Sequence, residues 1–360
     1  MIPAPRKAVQ EMSPYIPGEQ PQGTGWTKLN TNENPHTSPK ALAALEGQAN
    51  QALSRYPDPL ARDLRHKLAE IYELDVEWIY VDNGSDQILN LIFRAYVDRG
   101  QTVAYTFPTY PYYEVWAHMQ DAVIQTVEPG PDFAVPIDEL AGLQATLTAI
   151  SNPNSPTGTF TPPDQIERLA QKCTGLVVVD EAYVDFASAS ALPLVQQYDN
   201  IIVSRSMSKS FGLAGVRVGY AFGRPELLEP MWKLRDSYSV SRPSQAIAVA
   251  TLDDYAWMRT VCAEIGARRK RVARRLAQEF PCKVYPSDAN FLFVEPAQHA
   301  AVDVYEALRA QKVLVRYFRQ HGLERYLRIT IGTEEEMEIF FSALSEVLKQ
   351  SVVPTTGGTQ

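Results

Sequence analysis

The amino-acid sequence predicts an α/β protein, with a large domain built on a mostly parallel, mixed sheet flanked by helices and a smaller α+β domain. Two observations support this prediction. Over the first two thirds of the chain, apolar runs of strand length alternate with amphipathic helical patterns, which is typical of a parallel sheet with helices on both faces. After about residue 250 the pattern changes to a long helix, several strands and a final helix. A chain of 360 residues is long enough for two domains.

The elements of the large domain follow from their hydrophobic periodicity. The chain predicts, in order, a helix at 59–74, a strand at 78–83, a helix at 85–97, strands at 102–107 and 147–152, a helix at 163–173, strands at 175–183 and 200–206, and the start of a helix at 208–215. The unbroken run of branched apolar residues at 176–179 is typical of a parallel strand that is buried on both faces. Strands of the smaller domain are expected at 283–296, 313–318 and 326–332, before a final amphipathic helix.

These elements suggest where the domains begin and end. Residues 1–28 are rich in Pro, Gly and Gln and are expected to form an irregular arm over the surface or over another subunit. We expect 29–50 to contribute to the small domain, 51–255 to form the large domain, 256–350 to complete the small domain and 351–360 to be a flexible tail. The chain shows no internal repeat.

Composition narrows the function classes. The net charge of −8 disfavours nucleic acid or an anionic membrane as the main partner, because binding a polyanion depends on neutralising its phosphates. The three cysteines and five histidines show no metal-ligand spacing, so no metal is expected. Without a signal-peptide pattern or a long apolar segment, the sequence favours a reduced, cytoplasmic location.

Polar residues follow several predicted strands of the large domain. Ligands of open α/β sheets lie at the carboxyl ends of the strands, so these places are the first candidates for a site. They are "NGSD" at 83–86, "TFPTY" at 106–110, "SNPNSPTG" at 151–158, "DEAY" at 180–183 and "SRSMSK" at 204–209.

Asp180 ends the apolar run at 176–179. A carboxylate buried there costs several kcal/mol unless a cation pairs with it, so Asp180 is expected to face a cationic partner. Tyr183, three residues on, can point into the same crevice. The alternative is that Asp180 caps the next helix.

Two other segments suit an anion. Gly84, Ser85 and Asp86 open a predicted helix, whose N-terminus offers free N–H groups and a positive dipole end. Ser and Asp are also common helix caps, which is the structural alternative. The further anion donors are Ser206, Ser208 and Arg217. Together the two segments predict a phosphate site.

Pyridoxal phosphate requires a phosphate cup, a carboxylate beside its cationic ring nitrogen, an aromatic residue over the ring and a lysine that attaches to its aldehyde. Lys209 is the candidate lysine and Tyr110 the candidate aromatic lid. The sequence therefore predicts pyridoxal 5'-phosphate as cofactor.

Six ordered motifs carry a family resemblance. They are "NGSDQIL", "FPTYPYY", "NPNSPTG", "VVVDEAYVDF", "SMSKSFGLAGVRVGY" and "YLRITIGT", and the resemblance covers nearly the whole chain, beginning with "LNTNENPH" at residue 29. With them the chain resembles the fold-type-I, class I and II aminotransferases, and among these most the histidinol-phosphate aminotransferases.

The resemblance implies a role for each matching residue. Lys209 would form the Schiff base and move the proton at Cα, Asp180 would pair with the ring nitrogen, and Tyr183 would bond the phenolic oxygen. Tyr56 would reach the phosphate of a neighbouring subunit, which implies a homodimer with shared active sites. The phosphate would be held by Ser85, Asp86, Ser206, Ser208 and Arg217.

Substrate residues are implied in the same way. Arg328 would bind the α-carboxylate, and Arg316 the phosphate of an imidazolyl substrate or the distal carboxylate of glutamate. Asn32 and Glu33 would line the entrance. The substrates implied are histidinol phosphate and glutamate or 2-oxoglutarate.

One position departs from the family pattern. The family usually has Asn directly before "PTG", whereas this chain has Asn154 followed by Ser155. Either residue can bond the phenolic oxygen of the cofactor, and Asn154 is the one we expect.

Other functions remain to be weighed. The same motifs occur in aromatic amino acid aminotransferases and resemble those of threonine-phosphate decarboxylases. The "SMSK" at 206–209 matches the SxxK pattern of serine acyl-transfer enzymes, but the chain lacks the KTG element of that class. A non-catalytic regulator on the same scaffold is disfavoured because Lys209, Asp180 and Tyr183 are all present.

Overall fold

The computed structural model describes residues 2–12, 16–48 and 54–350, so the predicted tail at 351–360 lies outside the described residues. In this part of the chain the strands form one sheet of seven and one of five. They are β1 (Thr27–Leu29), β2 (Ile79–Asp82), β3 (Thr102–Thr106), β4 (Val123–Val127), β5 (Leu147–Ser151), β6 (Leu176–Asp180), β7 (Ile201–Ser206), β8 (Gly219–Phe222), β9 (Cys282–Val284), β10 (Phe291–Pro296), β11 (Val313–Tyr317) and β12 (Leu327–Thr330).

Helices separate most of these strands. They are α1 (Lys7–Glu11), α2 (Pro39–Gln48), α3 (Arg62–Tyr72), α4 (Ser85–Tyr96), α5 (Tyr112–Met119), α6 (Ile137–Gly142), α7 (Pro163–Lys172), α8 (Pro225–Leu234), α9 (Arg242–Leu252), α10 (Tyr255–Glu279), α11 (Ala301–Ala310) and α12 (Glu334–Gln350). In α7, Pro163 occupies the first turn, where its missing N–H costs nothing, and Ile166, Leu169 and Ala170 form the buried face.

The seven-stranded sheet has the order β2-β8-β7-β6-β5-β3-β4. Strands β4, β3, β5, β6 and β7 pair in parallel, and β8 runs antiparallel to both β7 and β2. Because β8 opposes both of its neighbours, β2 points in the same direction as β7. The carboxyl ends of β2, β5, β6 and β7 therefore lie at one edge of the sheet.

Strand β6 lies at the centre of this sheet and is buried on both faces. Val177 and Val179 belong to one apolar cluster, and Leu176 and Val178 belong to the cluster on the other face. Each such side chain contributes about 1.5–3 kcal/mol when it leaves water. This burial fixes the position of Asp180, which ends the strand between Ser151 of β5 and Ser204 of β7.

The five-stranded sheet has the order β1-β11-β12-β10-β9. Strand β1 pairs in parallel with β11, and the other pairs are antiparallel. Because β1 ends at Leu29, Thr31 and Asn32 leave this sheet and contact Lys209 and Tyr183 in loops of the large sheet.

The elements expected in the large domain match the structure to within three residues, with one exception. The segment 208–215 was expected to start a helix and instead forms turns. At Gly212 the backbone has φ +66, and a Cβ there would lie 2.0 Å from the carbonyl oxygen of His36. Close packing against the N-terminal segment therefore replaces helical hydrogen bonding.

The stretch 283–296 also differs from its prediction. It forms parts of two antiparallel strands, β9 and β10, rather than one strand. The hydroxyl of Ser287 donates to the carbonyl of Phe291 at 2.6 Å and closes the connection between them. Pro286 precedes this turn and lacks the N–H that a continuous strand needs.

Candidate active site

The start of α4 forms the base of an anion site at the carboxyl edge of the large sheet. Gly84 precedes the helix with φ +83, and a Cβ there would lie 2.6 Å from Arg217 Nη2. A Cβ at Gly219, the first residue of β8, would lie 2.3 Å from the main-chain nitrogen of Ser85. These two glycines let β8 and Arg217 approach the first turn of α4, whose N–H groups favour an anion.

Two hydroxyls and a guanidinium lie together after β7. The N–H of Ser208 donates to Ser206 Oγ at 3.1 Å, and Arg217 Nη1 donates to Ser208 Oγ at 3.1 Å. Arg217 has φ +56, a left-handed conformation that costs a non-glycine residue about 1–2 kcal/mol. Ser206, Ser208, Arg217 and the start of α4 thus form one cluster of donors suited to phosphate.

The carboxylate of Asp86 lies within this cluster and is held by two donors. Its Oδ2 accepts from Arg217 Nη2 at 3.2 Å, and its Oδ1 accepts from the hydroxyl of Tyr110 at 2.8 Å. The side chain of Asp86 therefore orients both the guanidinium and the predicted aromatic lid. A contact of its main-chain N–H with phosphate stays a prediction.

Asp180 is a buried carboxylate, 4% exposed, at the end of β6. Burial raises its pKa to about 7, the hydrogen bond from Tyr113 opposes this rise, and the negative charges of Asp86 and Glu181 add to it. The hydroxyl of Tyr113 donates to Oδ2 at 3.1 Å, and the N–H of Ala182 donates to Oδ1 at 3.3 Å. Both donors are neutral, so a cationic ligand would stabilise the charged form of Asp180.

Tyr183 and Asn32 meet between the two sheets. Asn32 Nδ2 donates to the hydroxyl oxygen of Tyr183 at 2.9 Å. Asn32 is itself held by Thr330 of β12, whose hydroxyl accepts from its N–H at 3.0 Å and donates to its Oδ1 at 3.2 Å. The phenol of Tyr183 is therefore fixed by a residue of the segment that follows β1.

Lys209 lies beside Tyr183. Its Nζ donates to the carbonyl of Thr31 at 3.0 Å and lies 5.7 Å from the centroid of the Tyr183 ring.

Glu33 forms an ion pair with Lys28. Burial would raise the pKa of Glu33, but hydrogen bonds from Lys28 and Thr31 and the charges of Lys28 and Lys209 bring it below its usual value.

Asn154 and Ser155 are both buried in the loop after β5. Asn154 Nδ2 donates to the Pro108 carbonyl and to Thr157 Oγ1, each at 2.9 Å, and its Oδ1 accepts from Thr109 Oγ1 at 2.8 Å. Ser155 Oγ accepts from Arg328 Nη1 at 3.1 Å. The choice between the two for the phenolic oxygen of the cofactor stays a prediction.

Arg316 and Arg328 are directly opposite each other on β11 and β12. Both guanidinium groups lie over the ring of Phe318, at 5.4 Å and 5.7 Å from its centroid. Arg328 also donates to the carbonyl of Asn30 at 3.0 Å, and Arg316 donates to that of Ile16 at 2.8 Å. Two cations therefore occupy the same face of the small sheet, and Arg328 contacts Asn30, which directly precedes the Thr31 that accepts from Lys209.

Tyr56 differs from the preceding site residues because it is exposed on the surface of the chain. Its side chain is 75% exposed, and its ring stacks on that of Tyr238 with the centroids 4.2 Å apart. The structure therefore places Tyr56 at the surface of the chain, and its predicted contact with a neighbouring subunit stays a prediction.

Some contacts of the site were not predicted from the sequence. Tyr113 belongs to the quoted "FPTYPYY", and its position three residues after Tyr110 near the start of α5 is the signal that both face one direction. The carbonyls of Asn30 and Thr31, which hold Arg328 and Lys209, carry no side-chain signal. They follow from the pairing of β1 with β11.

The cluster of donors at α4, the buried carboxylate with neutral donors and the nearby lysine fit pyridoxal phosphate, the cofactor that the sequence predicts. The described part of the chain shows no group of His, Cys, Asp and Glu side chains that suits a metal ion. Within the same residues, no helix combines the length and apolar character needed to cross a membrane.

Comparisons with known proteins bear on the fold and the family. The family model of class I and II aminotransferases matches residues 24–344. Histidinol-phosphate aminotransferase 1 of Nostoc sp. is 41% identical over 96% of this chain and 98% of its own length. The histidinol-phosphate aminotransferase of Geotalea uraniireducens is 40% identical over 96% of this chain and 100% of its own.

A solved structure of an aminotransferase also resembles this chain. The crystal structure of histidinol-phosphate aminotransferase from Sinorhizobium meliloti, in complex with pyridoxal-5'-phosphate, superposes with a TM-score of 0.88 at 27% identity. The match covers 96% of this chain and 98% of that one. The predicted fold class is therefore confirmed, and the chain belongs to the class I and II aminotransferases.

Proposed function

We propose that the chain is a pyridoxal-phosphate-dependent transaminase that converts imidazole acetol phosphate and L-glutamate to L-histidinol phosphate and 2-oxoglutarate. The observation that carries the substrate is the arginine pair on the small sheet. Arg316 and Arg328 are opposite each other, and Arg328 and Lys209 donate to the consecutive carbonyls of Asn30 and Thr31. The names of the relatives described above support the same substrate.

The arginine pair suits substrates with two anionic ends. Like charges directly opposite each other on neighbouring strands are destabilising, so this arrangement favours an anion that is shared or bound between them. The guanidinium fork matches carboxylate and phosphate oxygens. Arg328 would bind the α-carboxylate of glutamate, and Arg316 the phosphate of the imidazolyl substrate or the distal carboxylate of glutamate.

The other residues would hold the cofactor. Ser85 and Asp86 through their main chain, with Ser206, Ser208 and Arg217, would bind the phosphate. Asp180 would pair with the ring nitrogen, and Tyr110 would cover the ring. Tyr183, held by Asn32, would bond the phenolic oxygen.

When bound, pyridoxal phosphate supplies an electron sink for the negative charge that develops at the substrate Cα. Lys209 would attach the cofactor and, once displaced, would take the proton from Cα and return it. The charged form of Asp180 would keep the ring nitrogen protonated. Glu33, close enough to Lys209 for their charges to interact, would stand at the entrance with Asn32.

We further propose that the chain acts as a homodimer in the cytoplasm, with Tyr56 reaching the phosphate in the partner's site. The support is an exposed aromatic pair, since Tyr56 and Tyr238 are 75% and 44% exposed and stack on each other. The three free cysteines are in keeping with a reducing compartment. Sedimentation of the unmodified protein as a monomer would contradict the homodimer. Cofactor binding by the Tyr56→Phe variant as tight as that of the unmodified protein would contradict the shared site.

Visible absorption of the cofactor-loaded protein tests the substrate. Titration with histidinol phosphate, glutamate and phenylalanine should change the absorption band at much lower concentrations of the first two. Arg316→Ala should weaken the response to histidinol phosphate about 10–100-fold, as expected for loss of a charged hydrogen bond. Arg319→Ala, which removes a 77% exposed arginine three residues away, is the matched control.

The same titration separates the alternatives. A response to phenylalanine at lower concentrations than to histidinol phosphate would indicate an aromatic amino acid aminotransferase. Release of carbon dioxide from threonine phosphate would indicate a decarboxylase on the same scaffold.

Lys209→Ala tests the chemistry. This variant should still bind pyridoxal phosphate through the phosphate donors but should lose at least about 10⁴-fold in turnover, because both the attachment point and the base are removed. Lys233→Ala is the control, since Lys233 is exposed and pairs with Glu229 within α8. Normal turnover of Lys209→Ala would exclude this mechanism.

A further inference from the structure

Tyr113 is a fully buried tyrosine near the start of α5, and none of the roles given above uses its hydroxyl. Its ring packs among other aromatic residues, at 5.7 Å from Tyr110 and 6.3 Å from Phe93 between centroids. A phenylalanine would fill the same space. Since burying a hydroxyl costs free energy unless it is hydrogen-bonded, the hydroxyl of Tyr113 requires a separate explanation.

That hydroxyl donates to Asp180 Oδ2 at 3.1 Å. Burial and the charge of Asp180 raise the pKa of Tyr113, so the phenol keeps its proton and acts as a donor. The phenol therefore donates directly from α5 to the carboxylate that ends β6.

The phenol and the N–H of Ala182 together fix the plane of the carboxylate. Each donor occupies one lone pair, on Oδ2 and on Oδ1, and each oxygen keeps a second lone pair for another donor. Tyr110, on the same segment, donates to Asp86 in the same manner. One tyrosine thus orients the carboxylate in the phosphate cluster, and the other orients the carboxylate at the end of β6.

We propose that Tyr113 is a positioning residue that orients the Asp180 carboxylate toward the ring nitrogen of the cofactor and keeps it charged. The inference rests on the proposed use of pyridoxal phosphate, and it adds a residue to which that proposal gives no role. The phenol acts through Asp180 and need not touch the cofactor. Its effect should therefore depend on the ring nitrogen being present.

A binding experiment with two ligands tests this dependence. The apoprotein is titrated with pyridoxal phosphate and with an analogue in which the ring nitrogen is replaced by C–H, and binding is followed by protein fluorescence. Tyr113→Phe should weaken pyridoxal phosphate about tenfold, because a buried charged acceptor loses a donor, and should change the analogue less than about twofold. Tyr105→Phe is the control, since Tyr105 is buried on β3 with its ring 6.0 Å from that of Tyr113.

The possible outcomes have different meanings. Equal weakening of both ligands would show that the hydroxyl only supports the fold of the pocket and would overturn the inference. Unchanged affinity for pyridoxal phosphate would overturn it as well. Failure of the unmodified protein to bind pyridoxal phosphate would instead contradict the proposed function, independently of Tyr113.

Discussion

Asp180 and Glu181 are consecutive carboxylates at the end of β6, and the protein surrounds them in opposite ways. Both are buried, at 4% and 1% exposure. Asp180 accepts from a phenol and a main-chain N–H, both neutral. Glu181 accepts from Arg205 Nε at 3.0 Å and forms an ion pair with that guanidinium.

The carboxylate of Glu181 is held by a network of donors within the chain. Ser190 donates to both carboxylate oxygens, and the N–H of Ala191 donates to one of them. Arg205 also donates to Ser190 and lies 5.0 Å from the centroid of the Tyr72 ring. Burial opposes the charge of Arg205, but the field of Glu181 outweighs it and raises the pKa of Arg205.

The difference separates a structural carboxylate from a ligand-binding one. A buried charge that is paired within the chain adds nothing to ligand binding, whereas one with neutral donors is stabilised further by a cation from outside. Arg205 directly precedes Ser206, so the ion pair also ties the phosphate side of the site to the end of β6. The two carboxylates should therefore respond differently to mutation.

The largest effect is expected from Asp180→Asn in the loaded enzyme. Removing one charge of a buried pair costs about 3–5 kcal/mol, which corresponds to a loss of about 10²–10⁴-fold in kcat. Steady-state turnover with glutamate measures it. An Asp180→Asn variant with normal kcat would show that the carboxylate does not act on the cofactor.

Arg205→Met should produce the next largest effect, and it should act on folding. It leaves Glu181 buried without its cation, so the free energy of unfolding of the apoprotein should fall by about 3–5 kcal/mol, measured by urea denaturation. The double variant Glu181→Gln with Arg205→Met should recover more than half of the loss. If the double variant is no more stable than the single one, packing rather than charge explains the loss.

Asp180 should make the free energy of unfolding depend on pH. Its folded pKa of about 7 lies above the ordinary 3.8, so its ionisation costs stability as pH rises through this range. The stability gained by Asp180→Asn in the apoprotein should thus be near zero at pH 4 and grow to at most about 4 kcal/mol at pH 8. Urea denaturation of both proteins at these two pH values measures it, and a constant difference would contradict the assignment.

The smallest effect is expected at an exposed ion pair. Asp138 pairs with Arg168 and Lys172 at the surface, where water screens the charges. Asp138→Asn should therefore give a urea midpoint that agrees with that of the unmodified protein. A clear loss of stability would mean that pairing itself, and not burial, distinguishes Glu181.

Many parts of the fold and site follow from local patterns. Strands β2, β3, β5, β6 and β7 and helices α3, α4 and α7 could be predicted because their apolar periodicity is set by the core, whereas β4, β8, α5, α6, α8 and α9 were not expected. Lys209, Asp180 and Arg217 could be singled out because each follows a strand or a glycine-rich turn. The segment 208–215 could not be predicted, because its turns depend on packing against His36. The contacts of Tyr113 with Asp180 and of Ser155 with Arg328 were missed because each joins residues that are distant in the chain.

The sequence by itself determined the α/β class, the family and the chemical types present at the carboxyl ends of the strands, because periodicity and short motifs are local properties of the chain. Only the tertiary structure decided which carboxylate is paired and which has neutral donors. Asp180 and Glu181 are adjacent and chemically alike, and the difference between them comes from Arg205 on β7 and Tyr113 on α5. Burial and the positions of distant charges set the energy of an ionisable group, and both arise only when the chain has folded.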